Sequence, residues 1–133
     1  MSRNDTPDIV LTTPKGVVLG EIRHRFDSLD LPALFDRFES YSDRNGIHPR
    51  FFLIGDPEQL RFYRGSDRTE VGTLSTPAIM DTYDANFSNE VVFESYLLTL
   101  VQSWLDDIAH HWKSVHPPGT DKLPKELVEL IAA

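Results

Sequence analysis

The chain contains no cysteine. Disulfides, thiolate nucleophiles and cysteine-based zinc sites are therefore excluded, and a reducing compartment fits. No apolar run approaches the roughly 20 residues that a membrane-spanning helix requires, so no membrane partner is expected. Residues 1–8 are polar and lack the apolar stretch of a signal peptide, which makes the cytoplasm the expected compartment. Arginine is missing from residues 69–133, where three lysines meet ten acidic side chains for a net charge of −7. Residues 1–68 carry nine arginines, one lysine and eleven acids, a net of −1, so the chain totals −8. Phosphate contacts supply most non-specific affinity for nucleic acid, and arginine suits them best. Any DNA-binding face is thus expected in the N-terminal half. Internal repeats and low-complexity segments are also missing.

What is present reads as one domain spanning residues 1–133, long enough to bury a sizeable core. Residues 1–7 are expected as a flexible start, and 115–133 as a C-terminal extension with a short helix. Ile9–Thr12 reads as a strand, Thr13-Pro14-Lys15-Gly16 as a tight turn and Val17–Arg25 as a second strand. Period-two alternation puts Val18, Gly20 and Ile22 on one face, and Val17, Leu19, Glu21 and Arg23 on the other. Asp27, Ser28 and Asp30 offer N-caps for a helix running to about Arg44, with Leu31, Leu34, Phe35 and Phe38 on its buried face. Asn45-Gly46 stops it. Phe51-Phe52-Leu53-Ile54 is apolar without alternation, as in a strand covered on both faces. Residues 17–55 thus form a βαβ unit.

Gln59–Arg64 reads as a further short strand, residues 65–76 as a loop and Pro77–Met80 as a helical turn. Ser88 or Asn89 can cap a long helix over about Glu90–Ser114, whose apolar stripe is Phe93, Leu97, Leu100, Trp104, Ile108 and Trp112. His116-Pro117-Pro118-Gly119 ends it. Leu127, Leu130 and Ile131 mark a last amphipathic helix that docks on the domain or leads into a partner domain. The expected fold class is α/β: a mixed central sheet built from a β-hairpin, a βαβ unit and a further short strand, flanked by helices.

Pro7-Asp8, twelve intervening residues and then Glu21-Ile22-Arg23 resemble the motif of PD-(D/E)XK nucleases. Residues i and i+2 of a strand project to one side, so Glu21 and Arg23 share a face that a hairpin partner brings beside Asp8. The run from Pro7 to about Ser114 is similar to the nuclease-like domain at the N-terminus of type I restriction enzyme motor subunits. Phe52–Asp56 and Leu60–Gly65 match the strand and hairpin that follow the active-site helix there. The resemblance implies a restriction-endonuclease-like core, Asp8 and Glu21 as ligands of magnesium, and Arg23 on the scissile phosphate. Magnesium takes one or two carboxylates plus water and phosphate oxygens, and it activates water for phosphodiester hydrolysis.

Two departures bear on the activity. Arg23 stands where the family has lysine, and a planar, always-charged guanidinium is not an ammonium. Only seven residues precede Asp8, whereas the family fold begins with a helix and a strand; those first elements are expected to be absent or to lie upstream. The expected function is a restriction- or defence-type nuclease-like domain, weakened or inactive. It would act on or bind a DNA phosphodiester, with magnesium where active as an endonuclease. The alternative is a non-catalytic module of the same fold that binds a protein partner or a second copy of itself, as a homodimer. His110, His111 and His116 form a weaker metal candidate, with Asp106 four residues before His110.

Overall fold

A computed structural model describes residues 6–24, 30–87 and 94–133. Among them, five strands form one mixed sheet: β1 (Ile9–Thr13), β2 (Gly16–Ile22), β3 (Pro49–Gly55), β4 (Gln59–Arg64) and β5 (Glu70–Ser75). Spatial order follows sequence order. Only the β2–β3 pair is parallel, and the others are antiparallel. The parallel pair requires a crossover, supplied by helix α1 (Leu31–Asn45). The α/β class, the hairpin and the βαβ unit are as expected from the sequence.

α1 begins where the Asp30 side chain accepts the Ala33 amide at 3.2 Å, and Pro32 sits in the first turn, where no amide is needed. The other candidate caps, Asp27 and Ser28, lie outside the described residues. Gly46 ends the helix at φ +64°, a left-handed conformation that favours glycine, and its amide returns to the Ser42 carbonyl. Leu34, Phe35 and Phe38 pack on Leu19, Phe52, Ile54 and Tyr63. Phe38 stacks on Phe52 at 4.8 Å, and Phe35 meets Tyr63 edge-on at 5.1 Å. The opposite face is covered by α2 (Thr76–Met80), α3 (Glu94–His110) and α4 (Lys125–Ile131). There Val18, Ile22, Phe51, Leu53, Leu60 and Phe62 meet Leu97, Val101, Trp104, Ile108, Leu127 and Leu130. The apolar run 51–54 is explained by these two cores, because β3 is covered on both sides.

Three expectations are corrected. Residues 65–76 are not a loop: Glu70–Ser75 is β5, an antiparallel partner of β4. Its glycine, threonine and serine suit turns locally, but pairing with β4 and burial of Leu74 prevail. The long helix ends at His110, short of Ser114. His111 takes a left-handed φ of +53°, and the buried Asp107 carboxylate binds the amides of Lys113 and Ser114, which turns the chain away from the helix axis. Its expected first turn, with the Ser88 and Asn89 caps and Phe93, lies outside the described residues. β2 stops at Ile22, short of Arg25, and Arg25 is likewise not described.

α4 docks on the domain, with Leu127, Leu130 and Ile131 all buried in the main core. One close approach fixes the turn after β4. A Cβ on Gly65 would lie 2.1 Å from the Pro49 carbonyl oxygen, so only glycine lets its amide bond Arg50 O at 2.8 Å. Among the described residues, no helix is long and apolar enough to cross a membrane.

Candidate functional site

The hairpin register sets Ile9 opposite Gly20, so Asp8 enters β1 beside Glu21 near the end of β2. Asp8 is exposed, and its Oδ2 accepts the Ile22 amide at 2.8 Å, which closes the open end of the hairpin. Glu21 sits on the α1 side of the sheet with its side chain only 5% exposed. Arg23, two residues on, turns back over it: Nη2 lies 2.6 Å from Glu21 Oε2. Arg37, from the middle of α1, brings a second guanidinium to the same oxygen at 3.7 Å. Glu21 Oε1 and Arg23 Nε are buried and have no hydrogen-bond partner among the described residues.

Arg37 is placed by the packing of α1 on the sheet, and exposed ion pairs flank the helix on another side. Arg68, in the β4–β5 turn, pairs with Asp36 at 3.0 Å and Glu39 at 2.7 Å and lies 5.3 Å from the centre of the Phe35 ring. It joins the β4–β5 turn to α1, while Arg37 extends toward Glu21 on β2. Arg37 was not singled out in the sequence. The available signal was an arginine flanking the apolar stripe of Leu34 and Phe38, which does not reveal what lies beneath it.

Burial pushes the Glu21 carboxyl above its ordinary value of 4.5, and the negative charge of Asp8 adds to the rise. Arg23, Arg37 and the Asp8 amide oppose it without cancelling it. A carboxyl raised in the folded state contributes stability that is full below pH 4.5 and is lost as pH rises through the higher folded value. Glu21→Gln imitates the protonated form and lacks that dependence. The stability difference, wild type minus Glu21→Gln, is therefore expected to fall as pH rises from 4.5 toward neutrality, read by urea unfolding at several pH values. A difference that grows over this range would contradict the burial assigned to Glu21.

The structure thus brings together Asp8, Glu21 and Arg23, and it adds Arg37. The site lies at the carboxyl end of β2, next to that of β3. No known protein family, curated protein or solved structure matches this chain.

The donor set is partly engaged, although Glu21 Oε1 is buried without a partner among the described residues. Two carboxylates suit magnesium in number. One Glu21 oxygen, however, is held by two guanidiniums, and one Asp8 oxygen is committed to a backbone amide. Cations already stand where a metal's charge would go. Among the described residues, no group of three or more histidine, aspartate or glutamate side chains is placed to hold a metal. His110, His111 and His116 are all exposed, and the His111 ring bonds the Ser114 carbonyl at 3.0 Å.

Proposed function

We propose that the chain is a nuclease-like domain of restriction or defence type that binds a DNA phosphodiester through Arg23 and does not cleave it. One observation carries this reading: two guanidiniums converge on a buried glutamate at the carboxyl end of β2, with Asp8 beside it. Arginine forks match phosphate oxygens in two-point contacts, and a partly exposed Arg23 can exchange its carboxylate for a phosphate. With one oxygen of each carboxylate already engaged, this reading assigns the site binding and not cleavage. Glu21 acts as a counter-ion that keeps both arginines together when no phosphate is bound.

The test is fluorescence anisotropy with labelled duplex DNA at low salt, paired with plasmid incubation in magnesium or manganese. Binding without nicking is expected. Arg23→Ala should weaken binding about tenfold, the loss of one charge-assisted phosphate contact. Glu21→Gln should tighten binding, because it releases Arg23 and Arg37 from their internal anion. No binding at low salt would overturn the proposal. Nicking that disappears in Glu21→Ala would also overturn it, in favour of the metal-dependent enzyme.

A further inference from the structure

Among the described residues, no strand pairs with the outer edge of β1. The Arg23 amide bonds Gly55 O on β3, while the Ile22 amide bonds Asp8 on the β1 side. In β2, the backbone groups of Gly20 and Val18 therefore point to β1 and bond their partners Ile9 and Leu11. Val10 and Thr12, opposite Leu19 and Val17, must then point their amides and carbonyls away from the sheet. Val10 is 41% exposed and Thr12 is exposed, because α1 covers β2, β3 and β4 but not β1.

Natural sheets protect their edges with charge, proline, bulges or covering elements. The opposite edge, β5, carries Glu70 and an irregularity in its pairing with β4 between Phe62 and Tyr63. Among the described residues, β1 has no such protection. Its five residues, Ile9-Val10-Leu11-Thr12-Thr13, hold no charge and no proline, and they pair with β2 without a bulge. A groove of about 340 Å³, lined by Ile9, Val10, Leu11, Gln102, Leu105 and Asp106, runs beside it.

We infer that β1 is a homodimer interface, where β1 of a second copy adds antiparallel and joins the two sheets into one. Two features select a second copy of this chain. The first is self-complementary register. Pairing about a two-fold axis at Leu11 sets Val10 of each copy opposite Thr12 of the other, so the outward-pointing groups bond one another. Leu11 then lies opposite Leu11 above the groove. The second is charge. The protein carries −8, which opposes self-association in general. The described hairpin, residues 6–24, is neutral, with Asp8 and Glu21 balanced by Lys15 and Arg23. The two-fold pairing also brings the Lys15 turn of each copy toward Asp8 of the other. This inference is independent of the phosphodiester reading.

Size-exclusion chromatography with light scattering on the full chain tests it. The wild type should give the mass of a dimer at high micromolar concentration and dissociate on dilution. Val10→Lys places a charge on the edge, and Thr12→Pro removes an outward amide that β2 does not use. Each should raise the dimer dissociation constant about tenfold or more while leaving the circular dichroism spectrum unchanged. A wild-type monomer at every concentration overturns the inference. So does a dimer that persists in both variants, which places the contact elsewhere, or a mass above that of a dimer. Should either variant unfold, amide exchange on the wild type decides. Val10 and Thr12 should exchange more slowly as concentration rises, and equal rates at low and high concentration overturn the inference.

Discussion

Replacing Trp104 by alanine is expected to lower the unfolding free energy by about 4 kcal/mol, the range for a fully buried large aromatic. Trp104 is completely buried at the centre of the main core, on the face of α3 that packs against the sheet. Its ring meets Phe62 of β4 edge-on, with centroids 6.1 Å apart. Its Nε1 donates to the Pro118 carbonyl at 2.9 Å, which ties the segment leading to α4 onto α3. Alanine removes both the packing and the tie. For a chain of this length the melting temperature should fall by roughly 10–20 °C. Trp104→Phe keeps most of the volume but leaves the Pro118 carbonyl without its donor, so about 1–2 kcal/mol is expected. Trp112 makes the comparison informative. It is 54% exposed, rests against Tyr83 at 5.9 Å and donates to Ser103 O at 2.9 Å. Its alanine variant should cost no more than about 1 kcal/mol. Urea unfolding followed by circular dichroism measures all three, and equal losses at the two tryptophans would refute the packing described for α3.

The second large effect belongs to Asp107, which is fully buried near the end of α3. One carboxylate oxygen accepts the amides of Lys113 at 2.9 Å and Ser114 at 3.0 Å, and the other accepts the Tyr83 hydroxyl at 2.7 Å. A single side chain thus stops the helix, turns the chain and joins α3 to the segment after α2. Asp107→Ala leaves three donors without their acceptor, and a loss of about 3 kcal/mol is expected. Burial pushes the Asp107 carboxyl up, but the bonds from Tyr83, Lys113 and Ser114 outweigh it and hold the carboxyl at about 2, below its ordinary 3.8. Burial, followed by the bond to this carboxylate, pushes the Tyr83 hydroxyl upward. A depressed carboxyl contributes stability that is present above pH 3.8 and is lost as pH falls through about 2. Asp107→Asn should therefore be less stable than wild type at neutral pH and should not share the wild-type decline over that acid range. Parallel profiles for the two proteins would refute the role assigned to Asp107. The acid-side dependence of Asp107 and the rise-side dependence of Glu21 have opposite signs, so one set of unfolding curves separates them.

Local chemistry was enough to read much of the fold from the sequence. Alternation in β2 placed Leu19, Glu21 and Arg23 on one face because strand side chains have period two whatever surrounds them. Asp30, Pro32 and Gly46 delimit α1 through backbone requirements that act over a few residues. The unalternating run at 51–54 announced a strand covered on both faces. The same reasoning failed at β5, where glycine, serine and threonine form a strand only because β4 offers them a partner. It failed again at the end of α3, where Trp112 keeps helical spacing but Asp107 draws the chain off the axis.

For the candidate site, the sequence determined which residue types lie at the ends of β1 and β2, and that Glu21 and Arg23 share a face. It also left arginine out of the second half, so every guanidinium had to come from residues 1–68. Only the tertiary structure decided what those groups do. Arg37 reaches Glu21 because α1 packs on β2, β3 and β4 through Leu34, Phe35 and Phe38. The burial of Glu21, the direction of its pKa and the exposure of Val10 on β1 likewise follow from which elements cover which strands. Those are long-range contacts, and no window of sequence contains them.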